Sequence, residues 1–314
     1  MSNRIAFLFA GQGAQSVGMG RDLAANWPVA ASLFTRADSL LGYSLSRIAF
    51  EGPEEELTRT IHCQPALYVH GLAALAALRE ELGAPLSPHA VAGLSLGEFT
   101  AHACAGTFDF DTGLSLVAQR ARFMQEACES TEGGMAAMIG AEENVVRDLA
   151  AETDVDIANL NCPGQVVISG ESSKIALAVS LAREHGIRRA ALLNVAGAYH
   201  SRLMNSAWEQ LGAVLEETPL AIPSAKVICN IDALPVSEPE AIRRTLQEQV
   251  TGSVRWAETL EYLIDREGIT RFIEFGPGGV LAGLLNRTRK GTPVLSVSDA
   301  ESVRAAAEVL RGEG

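Results

Sequence analysis

The chain has 314 residues, 47% hydrophobic and 20% charged, which is enough for one large domain with a smaller companion around substantial cores. A net charge of −13 argues against nucleic acid as a partner. The five cysteines, Cys63, Cys104, Cys128, Cys162 and Cys229, form no C-x-x-C pair and no Cys/His cluster, so the sequence supports neither a disulfide framework nor a metal site.

No apolar run approaches the roughly 18 residues of a membrane span, and no signal-peptide pattern precedes the first strand. The expectation is a cytoplasmic protein without a membrane partner. That strand, residues 5–9, runs into Ala10-Gly11-Gln12-Gly13-Ala14-Gln15. A glycine-rich turn after a strand suggests a nucleotide loop, but G-x-G-x-x-G is not met and no Walker lysine follows. Two readings stay open: an ordinary β–α turn, or a close backbone approach that offers the Gln12 N–H as a donor. Helical periodicity covers 21–41, interrupted by Pro28, and a long alanine- and leucine-rich helix covers 64–82.

The central stretch is Gly93-Leu94-Ser95-Leu96-Gly97-Glu98, after an apolar strand at 90–94 and before a helix at 96–105. Strand, tight G-x-S-x-G turn and helix make the nucleophile elbow. Such a turn holds one hydroxyl at the carboxyl edge of a sheet, where open α/β folds bind ligands. It also places Ser95 at a helix start, where N–H groups can face a developing oxyanion.

A helix over 109–128 carries Leu114, Val117, Ala121, Met124 and Ala127 on one side, with Arg120 near its inner edge. On local pattern alone, Arg120 reads as solvated or salt-bridged. From 129 the texture changes. Strands at 135–140, 155–161, 165–170 and 188–195, with helices at 142–152 and 172–185, give the order β-α-β-β-α-β of a ferredoxin-like unit. It reads as an insert at 129–197 in a larger α/β domain formed by 1–128 and 198–314. Beyond it lie the turn Gly197-Ala198-Tyr199-His200-Ser201, a helix to 217 and a strand at 226–230. Helices at 240–249 and 256–266, strands at 271–275 and 293–297, and helices at 280–286 and 301–311 complete the chain. Strands alternating with helices imply a mostly parallel sheet.

A serine nucleophile needs a base. Of six histidines, His200 alone lies in a glycine-containing turn between strand and helix. No acid between Ser95 and His200 falls in an obvious post-strand loop, so a dyad oriented by a main-chain carbonyl is open as an alternative to a triad.

Six segments in order and register now carry a resemblance: Gly11-Gln12-Gly13-Ala14-Gln15, Gly93-Leu94-Ser95-Leu96-Gly97-Glu98, Gln119-Arg120 with Phe123-Met124-Gln125, Asn161-Cys162-Pro163-Gly164-Gln165, Gly197-Ala198-Tyr199-His200-Ser201, and Gly276-Pro277-Gly278. The chain resembles the malonyl-CoA:acyl-carrier-protein transacylases over essentially its full length. The resemblance implies an α/β-hydrolase-like core with the ferredoxin-like insert. It also implies ping-pong transfer of malonyl from malonyl-CoA, as substrate, through Ser95 to the phosphopantetheine thiol of an acyl carrier protein, with no cofactor. His200 would be the base, and the N–H groups of Gln12 and Leu96 the oxyanion hole. The carbonyl of Arg255, in Ser253-Val254-Arg255-Trp256, would orient the imidazole. Arg120 would bind the malonyl carboxylate, and Gln64 and Asn161 would lie near the pocket.

Two positions depart from the family pattern. Leu94 stands where histidine is usual, and Tyr199 where phenylalanine is commoner in malonyl-selective members, so a branched malonyl unit stays open. An acidic chain that docks an acidic carrier needs a local basic patch. The candidates are Lys174, Arg183, Arg188, Arg189, Arg202, Arg287, Arg289 and Lys290. The competing readings are a serine hydrolase, with water in place of the carrier thiol, and a non-catalytic scaffold.

Overall fold

A computed structural model describes residues 4–312. Its strands are, in chain order, β1 Ile5–Phe9, β2 Ala90–Gly93, β3 Gly133–Ile139, β4 Asp156–Cys162, β5 Gln165–Glu171, β6 Arg189–Leu192, β7 Lys226–Ile228, β8 Pro235–Val236, β9 Arg271–Phe275 and β10 Val294–Val297. They form two sheets. The larger runs β10-β9-β1-β2-β7-β8 and is parallel except where β8 turns back along β7.

The apolar run in β1 follows from helices covering both faces of this sheet. Phe7 and Phe9 join the core cluster that contains the long helix Thr60–Leu82. Ala6 and Leu8 point the other way, into the cluster with Trp256, Leu260 and Leu281. Thr60–Leu82 is long and apolar enough to cross a membrane, but most of it is buried inside the protein, as the core helix of this fold. At its midpoint Gly71 passes close to β1: a Cβ there would lie 3.3 Å from the Phe9 ring.

The second sheet runs β4-β5-β3-β6 and is antiparallel throughout. With helices Glu143–Glu152 and Ser172–Leu181 it has the ferredoxin-like βαββαβ order. Val254 N–H donates to Ala158 O at 2.8 Å, and Leu160 N–H to Val254 O at 2.9 Å, so β4 is tied to the segment that follows helix Pro239–Glu248.

Several boundaries differ from the sequence reading. Pro28 starts a helix, Pro28–Leu41, at the position where its missing N–H costs nothing. The helix from Ser172 stops at Leu181, ahead of Gly186 with φ 78°. Strand β6 ends at Leu192; Leu193 N–H still donates to Met135 O of β3 at 2.9 Å, and the chain then leaves the sheet. Helices Leu45–Glu51 and Glu54–Thr58 are too short to show a periodic signal in the sequence.

Candidate active site

Parallel pairing of β1 with β2, with Phe9 opposite Gly93, sets the loop Ala10-Gly11-Gln12 beside Leu94-Ser95 at the carboxyl edge of the sheet. The glycines make this approach possible. A Cβ on Gly93 would fall 2.0 Å from the Gly97 carbonyl, and one on Gly97 would fall 2.1 Å from the Phe9 oxygen. Ser95 sits between them at φ 53°, ψ −106°, then helix Leu96–Cys104 begins. A non-glycine residue held in such a region costs of order 1–3 kcal/mol and persists only where its surroundings enforce it. Here Asn230 enforces it: its Oδ1 accepts the Ser95 N–H at 2.6 Å, and its Nδ2 donates to Gly93 O at 2.8 Å.

His200 arrives from the second sheet. The loop from β6 passes over the end of helix Phe110–Glu129, where a Cβ on Gly197 would meet the Cys128 sulfur at 2.5 Å. His200 also has a positive φ, 56°. Its Nε2 lies 2.8 Å from Ser95 Oγ, and its Nδ1 lies 2.8 Å from the main-chain oxygen of Gln249. A carbonyl accepts only, so Nδ1 carries the hydrogen and Nε2 presents its lone pair to the serine hydroxyl. Burial, reinforced by the Arg120 charge, lowers His200 to about 4 and keeps it neutral at physiological pH.

Arg120 is 1% exposed, and among the described residues it has no carboxylate in ion-pair range. Nη1 donates to Gln64 Oε1 at 2.6 Å. Nη2 donates to Gln249 Oε1 at 2.9 Å and to Ser95 Oγ at 3.1 Å. Nε is buried without a hydrogen-bond partner among the described residues. The guanidinium also lies 5.4 Å from the centre of the Phe99 ring. Burial lowers it to about 10, which leaves it cationic at pH 7. Amide oxygens hold this group without neutralising it, so a buried positive charge and an unused donor are available to an anionic ligand.

Ser95, His200, Arg120 and Gln64 line one cavity of about 510 Å3, together with Gln12, Leu96, Asn161 and Tyr199. Among the described residues neither the Gln12 nor the Leu96 main-chain N–H has an internal partner, whereas that of Ser95 is taken by Asn230.

An acyl transferase domain model matches residues 6–312. The malonyl CoA-acyl carrier protein transacylase of Bacillus subtilis is 40% identical over 316 residues, covering 99% of this chain and 98% of that one. The solved acyl-carrier-protein S-malonyltransferase of Bartonella henselae superposes with a TM-score of 0.93 at 39% identity, covering 98% and 99% of the two chains. A malonyl-transacylase solved in complex with a type II polyketide acyl carrier protein gives a TM-score of 0.93 at 37% identity, with the same coverage. The chain belongs to the malonyl-CoA:acyl-carrier-protein transacylase family.

In this family member the carbonyl that holds His200 is that of Gln249, not of Arg255. The Arg255 oxygen is taken up by Thr259, through N–H and Oγ1 each at 3.0 Å, because Arg255 caps helix Trp256–Glu261. A cap residue's carbonyl is the first acceptor of its helix and is not free for an imidazole. The sequence reading also missed Gln249 and Asn230. Asn230 could have been suspected from its place just after β7 at the sheet's carboxyl edge. Gln249 carries no such signal, since half of its role belongs to its main chain.

Tyr199 is 7% exposed, and its hydroxyl is engaged by Thr60 Oγ1 at 2.5 Å. Of the basic candidates, Lys174 is paired with Asp154 and Glu171, Arg202 with Asp154 and Asp156, and Arg289 with Asp265. Arg287 donates to Gln165 Oε1 at 2.7 Å, and Gln165 lines the cavity.

Proposed function

We propose that this chain transfers malonyl groups from malonyl-CoA to the phosphopantetheine thiol of an acyl carrier protein through a malonyl ester on Ser95, supplying extender units for fatty-acid or polyketide synthesis. The observation that carries this reading is that Ser95 Oγ lies within hydrogen-bond reach of both His200 Nε2 and Arg120 Nη2, at 2.8 and 3.1 Å.

His200 Nε2 takes the hydroxyl proton as Ser95 Oγ attacks the thioester carbonyl. The N–H groups of Gln12 and Leu96 receive the oxyanion, and such a donor is typically worth about 2.7–4 kcal/mol in the transition state. The tetrahedral adduct collapses, the C–S bond breaks, and the imidazolium returns its proton to the departing coenzyme A sulfur. In the second half His200 deprotonates the carrier thiol, which attacks the malonyl ester and releases Ser95. Arg120 holds the malonyl carboxylate through both halves. Gln64 keeps the guanidinium in place, and Asn161 belongs to the pocket wall. The five cysteines are unpaired, in keeping with a reducing, cytoplasmic setting.

Intact-protein mass after brief exposure to malonyl-CoA tests this directly. The wild-type chain is expected to gain a malonyl adduct that S95A does not, and to lose it when holo carrier protein is added. Free coenzyme A without an adduct, and without carrier acylation, would instead indicate a hydrolase.

A further inference from the structure

One fully buried acid takes no part in the steps above. Glu98 lies on the first turn of helix Leu96–Cys104, three residues after the nucleophile, and is 0% exposed. Its Oε2 accepts the Asn230 N–H at 3.0 Å and Gln249 Nε2 at 2.5 Å. Its Oε1 has no hydrogen-bond partner among the described residues. The two residues it joins come from loops after β7 and after helix Pro239–Glu248, and they hold the reacting pair. Asn230 fixes the Ser95 N–H. Gln249 fixes the Ser95 carbonyl through Nε2 at 3.0 Å and His200 through its main-chain oxygen.

We infer that Glu98 is the positioning residue of this site: one carboxyl oxygen clamps the Asn230 and Gln249 loops together and so sets the Ser95–His200 distance. Two observations favour this over a plain packing role. The side chains that hold the strained Ser95 main chain, those of Asn230 and Gln249, meet at this oxygen. And a buried, half-unpartnered carboxyl costs more than an apolar side chain of the same size, so packing alone does not account for it. Burial also raises Glu98 to about 8, which leaves the carboxyl mainly neutral at pH 7 and the Arg120 charge uncancelled. A glutamine is then a close mimic, because its single amide oxygen can accept both donors.

The inference rests on the proposed Ser95–His200 chemistry, and the experiment separates the two. Single-turnover acylation of the full-length chain is followed by mass for wild type, S95A, E98A, E98D and E98Q, with malonyl-CoA and with acetyl-CoA, alongside thermal melting. Retention of the adduct in S95A overturns the underlying reading itself. With that reading intact, E98A and E98D are expected to lower kcat by about 10- to 100-fold, the scale of a misplaced reacting pair, for both donors and with KM little changed. E98Q is expected to stay close to wild type. Acylation by folded E98D at the wild-type rate overturns the inference, as does an E98Q defect equal to that of E98D. If E98A does not fold, the E98D and E98Q pair decides.

Discussion

Nη2 of Arg120 donates to Oγ of Ser95 over 3.1 Å, so the buried cation touches the very atom to which the acyl group would be attached. A malonyl group on that oxygen would carry its carboxylate carbon two bonds beyond the ester carbonyl carbon, with one methylene between them, so that a guanidinium touching Oγ is also within reach of the carboxylate. The acceptors around Arg120 are otherwise the neutral amides of Gln64 and Gln249. On the proposed reading, one side chain thus serves both charge selection and nucleophile positioning.

Replacing Arg120 with alanine is expected to damage malonyl transfer far more than acetyl transfer. A hydrogen bond to a charged partner is worth about 1.5–3 kcal/mol, so kcat/KM for malonyl-CoA should fall by roughly 10- to 100-fold beyond any loss for acetyl-CoA. Parallel kinetics with the two donors read the difference. Equal losses would show that Arg120 acts only through Ser95 and not on the carboxylate.

Gly11 separates the Gln12 donor from the elbow. A Cβ there would meet the Leu94 oxygen at 2.3 Å and the Leu94 side chain at 3.0 Å. The backbone oxygen cannot move away without disturbing Ser95, so G11A must shift the Gln12 loop outward. The expected result is a folded enzyme whose acylation kcat drops by about 100- to 1,000-fold, the size of a lost oxyanion donor. A G11A variant that acylates at the wild-type rate would remove Gln12 from the oxyanion hole.

Burial sets the pH behaviour. His200 is lowered from 6.5 to about 4, so the acylation rate should hold from pH 7 down to about 5 and fall as the imidazole protonates near pH 4. His70 and His102, also lowered by burial, to about 4 and about 3, act with it on stability. The unfolded chain binds protons first at these sites, so their stabilisation is complete above 6.5 and is lost as pH falls through the folded values. Glu98 has the opposite sign. It is raised from 4.5 to about 8, so its contribution is complete below 4.5 and fades as pH rises through 8. Melting temperature should fall on both sides of neutrality, and E98Q should flatten the alkaline side. An acid limb of the rate centred near 6.5 would contradict the buried, neutral His200.

Much of the fold was legible because its signals are local. The apolar runs at β1, β2 and β9 fit strands covered on both faces, and the 3.6-residue periodicity marked Phe110–Glu129. The elbow was legible for a related reason: a strained turn between strand and helix leaves room for glycine alone at Gly93 and Gly97. Short elements such as Leu45–Glu51 span too few residues to repeat a pattern.

What the sequence by itself determined was the set of chemical groups, Ser95, His200 and Arg120, and the alternation that calls for a parallel sheet with an antiparallel insert. Only the tertiary structure decided what holds those groups. The acceptor for His200 is a main-chain oxygen, and every residue has one, so no side-chain identity could distinguish Gln249 from Arg255; the choice was made by Arg255 capping a helix. The state of Arg120 was settled the same way. An arginine on an amphipathic helix looks solvated in sequence, and it became a buried, uncompensated charge only when Gln64, Gln249 and Phe99, brought from three distant segments, closed around it.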